Sequence, residues 1–383
     1  MSMLKGVKVL DFTALLPGPM ASKFLADWGA DVLRIESPHR TDLLHEVPPK
    51  VDGSSVFYQE MNRSKTVAKL DFTDDDHLHV LKRWVEDADV IIEQFRPGVM
   101  AKYGLDYEYM KKVNPAIIYC SLTGYGQTGP DRRKAGHDIN YYARSGLASY
   151  SGTKTDGPLL AGTPWADVAG GAHYSVMAIL MALYQREHSG VGDYLDISMT
   201  DAMFSMQPLA NQRYIYDKTV PDYESETLNG GSYYHFYETS DGRYLAVGSL
   251  EEVFFKRLCK VIKREDLLSS SLSAQTIKDE LTHVFKTKPL AEWKEILAET
   301  DACVEPVATL AEAHDDPLFY EREMFVEVFN PATGTSQTQV SNAVKSQNYQ
   351  PTYRFVGGTH FIDPLEAHYS PFYFANNNES ATK

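Results

Sequence analysis

The sequence predicts an α/β protein with a parallel sheet and a second, smaller α/β unit, and three observations carry that expectation. Near the N-terminus an alternating apolar run, Gly6-Val-Lys-Val-Leu10, precedes a short helical stretch that stops at Gly29. A second apolar run, Asp31-Val-Leu-Arg-Ile35, follows it. Strand, crossover helix and strand in that order make a βαβ unit, whose strands are parallel. The same pattern then recurs twice. Finally, 383 residues exceed what one hydrophobic core usually serves, so two domains are expected. We place the first domain at residues 1–200, a linker at 201–227, the small domain at 228–325 and a C-terminal segment at 326–383.

Each element has its own warrant. Leu16-Pro-Gly-Pro19 breaks the chain before Met20, Phe24 and Leu25 mark the first helix. Glu36 stands where an acid that binds a ribose would be expected. The preceding turn lacks G-x-G-x-x-G, however, and its two prolines remove amides that would face a pyrophosphate, so a nicotinamide cofactor is not expected. Thr73-Asp-Asp-Asp76 starts a helix bearing Leu78, Val80, Leu81 and Trp84, with acids at the positive end of its dipole. Strand Asp89-Val-Ile-Ile92 leads into the loop Glu93-Gln-Phe-Arg-Pro-Gly98, then a helix to about Val113, closed by Asn114-Pro115. Strand Ala116-Ile-Ile-Tyr-Cys120 delivers a glycine-rich loop from Thr123 to Pro130. Loops at the carboxyl ends of parallel strands are where ligands bind in such sheets.

A helix from Asp167 to about Arg186 carries Val176, Ile179, Leu180 and Leu183 at helical spacing as a core face. Gly190-Val-Gly192 ends it before the strand Asp193-Tyr-Leu-Asp-Ile-Ser198. From Phe204 to Glu226 the composition is polar and aromatic without clear periodicity, which reads as a linker. Ser240-Asp-Gly242 between two apolar runs is a hairpin signal, and helices rich in Lys and Leu then extend to about Ala298. Periodicity fades from Phe329, and Asn376 to Lys383 reads as a frayed tail.

Composition excludes several functions. A net charge of −15 argues against a nucleic-acid partner, since phosphate neutralisation needs a basic face. Three unpaired cysteines, Cys120, Cys259 and Cys303, and an N-terminus without a signal-like apolar core point to a reducing cytoplasm. No apolar run reaches the length of a membrane span, so no membrane partner is expected. His77-Leu-His79 beside three aspartates resembles a metal site, but residues two apart on a helix do not share a face; no metal is expected. Cys303 reads as a buried inert thiol in preference to a nucleophile.

Two residues stand apart. Lys134-Ala-Gly-His-Asp-Ile-Asn-Tyr141 and Asp167-Val-Ala-Gly-Gly171 place an imidazole and a carboxylate, His137 and Asp167, at the mouths of two predicted helices. That arrangement suits a site that moves protons, because a histidine titrates near neutrality and a carboxylate can act as its counterpart. Backbone amides following Asp167 are positioned to support a developing oxyanion. A lone histidine is ordinarily structural; its loop context and the downstream acid favour the catalytic reading.

Gly124-Tyr-Gly-Gln-Thr-Gly-Pro130 followed by Ala135-Gly-His-Asp-Ile-Asn-Tyr141 resembles the signature of α-methylacyl-CoA racemases, which belong to the family III CoA-transferase group. The resemblance spans about residues 4 to 320 and includes Pro17-Gly-Pro19, Asn62-Arg63, Arg96-Pro-Gly98 and Asp301-Ala-Cys-Val304. It implies a Rossmann-like large domain, a C-terminal return to that domain, and an interlocked homodimer in which each chain loops through the other. It implies racemisation at the α-carbon of 2-methylacyl-CoA thioesters, with His137 and Asp167 as the acid–base pair and Glu251, or its neighbour Glu252, assisting the histidine. The CoA thioester is then the substrate, and no cofactor is permanently bound.

Contacts to CoA are implied for Ala68, Lys69, Leu70 and Asp71, for Gln94, Phe95 and Arg96, for Lys102, and for Gly136, Asp138, Ile139, Asn140 and Tyr141. Arg96 and Lys102 would meet phosphates, as cations in strand-end loops can; without the resemblance they read as solvated charges. In the transferases of the group the aspartate matching Asp167 is a nucleophile that forms an anhydride and then an enzyme thioester, so a CoA-transferase is the alternative. The chain departs from the family at Ser37-Pro38, where an arginine is usual and Arg40 is the nearest substitute, and again from Thr335 onward. Tyr233 and Tyr234 suggest an apolar acyl pocket.

Overall fold

The computed structural model describes residues 2–356 and the strand 361–362; the tail expected to fray, from Asn376 on, lies outside the described residues. Two compact units form. One comprises Met1–Ser145, Ala161–Met206 and the chain from Tyr320, and the other Gly146–Leu160 with Gln207–Phe319.

In the first unit six strands run parallel: β1 Lys8–Asp11, β2 Asp31–Glu36, β3 Thr66–Lys69, β4 Val90–Glu93, β5 Ile118–Thr123 and β6 Tyr194–Ser198. Their order is β6-β5-β4-β1-β2-β3, and the two-residue strand Phe361–Ile362 extends the β3 edge. The chain therefore winds one way through β1, β2 and β3 and the other way through β4, β5 and β6. The reversal lies between β1 and β4, and a crevice opens at such a point beyond the strand ends. Helices cover both faces, so the central strands β1, β4 and β5 are buried on both sides along nearly their whole length. Leu10, Ile91 and Tyr119 pack on one face with Leu81, Trp84 and Val85; Val9, Val90, Ile92 and Ile118 pack on the other with Leu25, Ile179 and Leu183.

The helix start expected at Thr73–Asp76 holds, with Asp74 as its cap, accepting from the N–H groups of Asp76 and His77 at 2.9 and 3.0 Å. Several other local expectations need correction. The helix expected to reach Val113 is two, Val99–Lys102 and Tyr107–Val113, because Asp106 starts the second by accepting from the Tyr109 N–H. The helix at Asp167 begins as a π-helix, Ala166–His173, and continues as the α-helix Tyr174–Ser189. Ile179 and Leu183 pack in the core as expected, but Leu180 is exposed beside Met177, Met181 and Tyr184. At 24 residues this combined helix is long and apolar enough to cross a bilayer by length and composition only. Its inner side is nonetheless committed to the sheet through Ile179 and Ala182.

The stretch read as a linker contains the helix Pro208–Asp217. It has no apolar period because it buries no residue: Leu209, Ile215 and Tyr216 are all exposed.

In the second unit His235–Glu238, Tyr244–Val247 and Val304–Pro306 form an antiparallel sheet with Tyr244–Val247 at its centre. Helices Glu252–Val261, Ala274–Phe285 and Leu290–Leu297 cover it through Leu258, Leu281, Phe285 and Trp293. Tyr233 stacks on Phe255 at 4.5 Å and so belongs to this core, while Tyr234 is exposed. From Tyr320 the chain rejoins the first unit, where Phe325–Asn330 and Thr335–Val340 pair as a hairpin. Arg63, fully buried, grips this return: its guanidinium pairs with Asp27 at 2.8 Å and donates to the Val340 carbonyl at 2.6 Å.

Candidate active site

A cavity of about 340 Å3 opens where the sheet reverses. Leu15 and Pro17 reach it from the turn after β1, Gln94, Phe95 and Arg96 from the turn after β4, and Thr123, Gly124 and Tyr125 from the end of β5. Gly136, His137, Tyr141, Asp167 and Met199 complete the wall together with two cations, Arg132 and Lys134. The imidazole and carboxylate singled out in the sequence therefore share one concave site, at the carboxyl edge of a parallel sheet.

His137 is exposed and immediately precedes the helix Asp138–Arg144. Its own backbone is pinned: the His137 N–H donates to Oδ1 of Asn140 at 3.0 Å, and the Tyr141 hydroxyl donates to the Gly136 carbonyl at 2.5 Å. Tyr141 is buried with its ring edge-on to Tyr125, and burial, with the Asp167 charge nearby, pushes its hydroxyl up to about 12. That ring leaves no room for a side chain at position 124, since a Cβ there would overlap it. Gly124 is thus a consequence of the anchor that orients His137.

Asp167 lies in the first turn of the π-helix. Gly171 lets this helix approach the β1 turn, because a Cβ there would sit 2.9 Å from Cβ of Pro17. Partial burial raises the Asp167 carboxyl, the Asp138 charge raises it further, and His137 opposes both, leaving it at about 6. At neutral pH most of it is ionised, yet it takes a proton far more readily than a solvated aspartate. One of the amides expected to support an oxyanion, that of Val168, is already engaged, and so is the N–H of Asp167 itself. The Asp167 N–H donates to Oδ1 of Asp138 at 3.0 Å and the Val168 N–H to the Pro164 carbonyl at 2.9 Å.

The other expected contacts are dispersed. Gln94, Phe95, Arg96, Gly136 and Tyr141 line the cavity, whereas Asp138, Ile139 and Asn140 lie on the helix behind His137. Ala68 and Leu70 are fully buried in the core. Lys69 is exposed at the end of β3; Asp71 accepts from Thr73 and His39, which hold its carboxyl down at about 2. Lys102 is exposed at the end of its helix and does not line the cavity. Glu251 is exposed in the second unit, just before the helix Glu252–Val261, and Glu252 pairs with Lys256.

Glu36 is occupied internally by Arg34, Tyr58 and His45, at 3.0, 2.7 and 3.4 Å; burial raises its carboxyl, but His45, Arg34 and Tyr58 together hold it at about 2. Cys303 is exposed, not buried, but its thiol is raised by desolvation and by the charges of Glu251 and Asp301, which disfavours a thiolate. His77 accepts from the Asp71 N–H, and among the described residues no group of three or more potential ligands could hold a metal.

Arg132 and Lys134 were missed. The available signal was the tract Arg132-Arg-Lys134, the chain's only run of three consecutive basic residues, placed just upstream of His137.

A family model described as CoA-transferase family III matches residues 4–356. The α-methylacyl-CoA racemase of Homo sapiens is 34% identical over 328 residues, covering 84% of this chain and 82% of that protein. The succinate–glutarate CoA-transferase of Agrobacterium fabrum is 33% identical over 343 residues, covering 85% of each. Among solved structures, that of a CAIB/BAIF family protein from Brucella suis aligns with a TM-score of 0.79 at 28% identity, over 92% of this chain and 94% of that one.

Proposed function

The chain belongs to CoA-transferase family III, and on that premise we propose that it racemises the α-carbon of 2-methylacyl-CoA thioesters through an enolate. One group removes the α-proton, the C–H electrons pass to the thioester oxygen, and a proton returns to the carbon from the other face. A reaction of this kind needs two proton-transferring groups at one site, and a group titrating near the working pH serves best. The observation that carries the reading is that His137 and Asp167 line the same cavity, with Asp167 tuned to about 6. Three cations on the same wall, Arg96, Arg132 and Lys134, suit the anionic body of a CoA thioester in a protein that is otherwise strongly acidic.

A second reading is supported by the transferase relative at 33% identity, almost level with the racemase. There Asp167 would attack an acyl-CoA carbonyl, expel CoA thiolate and carry the acyl group as an anhydride. The two readings part in heavy water. A racemase incorporates deuterium at the α-carbon of a 2-methylacyl-CoA, and His137→Ala or Asp167→Ala lowers that exchange by 100-fold or more, on the order of what a positioned acid or base contributes. No exchange, with a hydroxylamine-sensitive adduct on Asp167 and CoA passing to a free carboxylic acid, overturns racemisation in favour of transfer.

We also propose a homodimer. The helix Pro208–Asp217 buries nothing while presenting Leu209, Ile215 and Tyr216, a surface that an isolated chain leaves wet. A stable monomer in sedimentation at micromolar concentration excludes it.

A further inference from the structure

Eight non-glycine residues hold a positive φ among the described residues: Leu15, Asp52, Ser64, Lys218, Glu224, Lys263, Cys303 and Glu323. Leu15, at φ +63°, is the only aliphatic one, and the only one on the wall of the cavity shared by His137 and Asp167. A leucine gains nothing from this conformation, because its Cβ crowds the following carbonyl, whereas glycine adopts it freely. Such an outlier persists only where its surroundings over-determine it.

Those surroundings are specific. The Leu15 N–H donates to Oδ2 of Asp42 at 3.1 Å, and Asp42 is held by the buried guanidinium of Arg34 at 2.5 Å. On the other side Nε2 of Gln94 donates to the Ala14 carbonyl at 2.6 Å. Thr13 is fixed in turn, its N–H and hydroxyl both donating to the buried Asp11 carboxylate. The turn is thereby clamped from both ends around one strained residue. The leucine side chain is left 37% exposed in a concave site instead of entering the core next to it. Neighbouring Phe95, Leu122 and Met199 give the cavity an apolar side, apart from its cations Arg96, Arg132 and Lys134.

We infer that Leu15 is a specificity-determining residue, an apolar wall held out by a strained turn to receive the branched acyl group of the thioester while the cations receive its anionic part. The inference rests on the acyl-CoA reading above. It accounts for the exposure: apolar surface in a pocket is unfavourable until a ligand of like character covers it. A hydrophilic or very short acyl group would leave it uncovered.

The test uses two variants of the full chain. Leu15→Gly relieves the backbone and removes the wall; Leu15→Asn keeps the branching and the number of side-chain heavy atoms in a residue that tolerates the left-handed region but is smaller and polar. Melting is followed with CoA, acetyl-CoA and 2-methylhexanoyl-CoA, and apparent dissociation constants are taken from the concentration dependence of the shift. The expected result is a melting temperature at or above the parent's in both variants and unchanged affinity for CoA and acetyl-CoA. Affinity for 2-methylhexanoyl-CoA falls about tenfold, the scale of a lost apolar contact in a specificity pocket. A lowered melting temperature in both variants makes Leu15 structural and overturns the inference. Unchanged preference between the two thioesters, with CoA still shifting the parent, overturns it alone. A parent that no CoA species shifts overturns the acyl-CoA reading and this inference together.

Discussion

Oδ1 of Asp138 accepts the backbone N–H of Asp167 at 3.0 Å, tying the residue after one candidate acid–base group to the main chain of the other. The contact does two things. It fixes the start of the π-helix against the helix that follows His137, and it brings a second negative charge close enough to raise the Asp167 carboxyl.

The first prediction follows from that pair. If ionised Asp167 is the base, kcat/KM falls as pH drops through about 6. Asp138→Asn keeps an oxygen for the Asp167 N–H but removes the charge, so the acidic limb moves to lower pH while the fold is retained. A limb that stays in place in this variant shows that the titrating group is not Asp167, or that Asp138 does not act on it.

Glu93 supplies a prediction about stability. It ends β4, is almost wholly buried, and accepts from the Phe95 N–H at 2.7 Å, within the turn that carries Arg96. Ser121 pairs with it from the adjacent β5, and Asp196 lies one strand further, on β6. Burial raises its carboxyl to about 7 from an ordinary 4.5, the Ser121 and Phe95 hydrogen bonds oppose this, and Asp196 adds to it. Between those two values the folded state binds more protons than the unfolded one, so stability falls as pH rises from 4.5 to about 7 and changes no further above it. Glu93→Gln removes that component. Denaturant unfolding at pH 5 and pH 8 should show a smaller loss in the variant than in the parent, the difference being at most about 3 kcal/mol. Equal losses in the two proteins rule out a raised Glu93.

Much of this architecture was legible because its causes are local. β1 and β2 declare themselves by apolar runs separated by a helix that starts at prolines, and burial on both faces makes those runs continuous. The strand-end loops follow, and with them the importance of His137 and Asp167. What stayed hidden depends on partners distant in sequence. The amides near Asp167 look free in the chain and are taken by Asp138 and Pro164 in the fold. Asp138 and Asn140 read as ligand contacts in the Gly136–Tyr141 motif, yet their side-chain oxygens accept from the backbone of Asp167 and His137. The helix Pro208–Asp217 has no buried face to set a period. The left-handed turn at Leu15 has no sequence signal, since the residue that signals it elsewhere is glycine.

The last prediction concerns the cations. The protein carries a net charge of −15, so at long range it repels an anionic ligand, yet Arg96, Arg132 and Lys134 line one cavity. Two opposing electrostatic effects therefore act on CoA binding. Contacts inside the cavity are short and partly shielded from salt, whereas repulsion from the acidic body acts over distances comparable with the screening length of about 8–10 Å. If local attraction dominates, added salt weakens CoA binding to the parent. Replacing Arg96, Arg132 or Lys134 singly by alanine should weaken it about tenfold each, the scale of a hydrogen bond to a charged group, and lessen the salt dependence. In the triple variant only the repulsion remains, so its residual affinity should rise with salt. Lys102→Ala, outside the cavity wall, separates the two placements of the phosphates: a loss as large as that of Arg96→Ala would put them along the helix Val99–Lys102. A triple variant whose affinity still falls with salt as steeply as the parent's would remove these three residues from CoA recognition altogether.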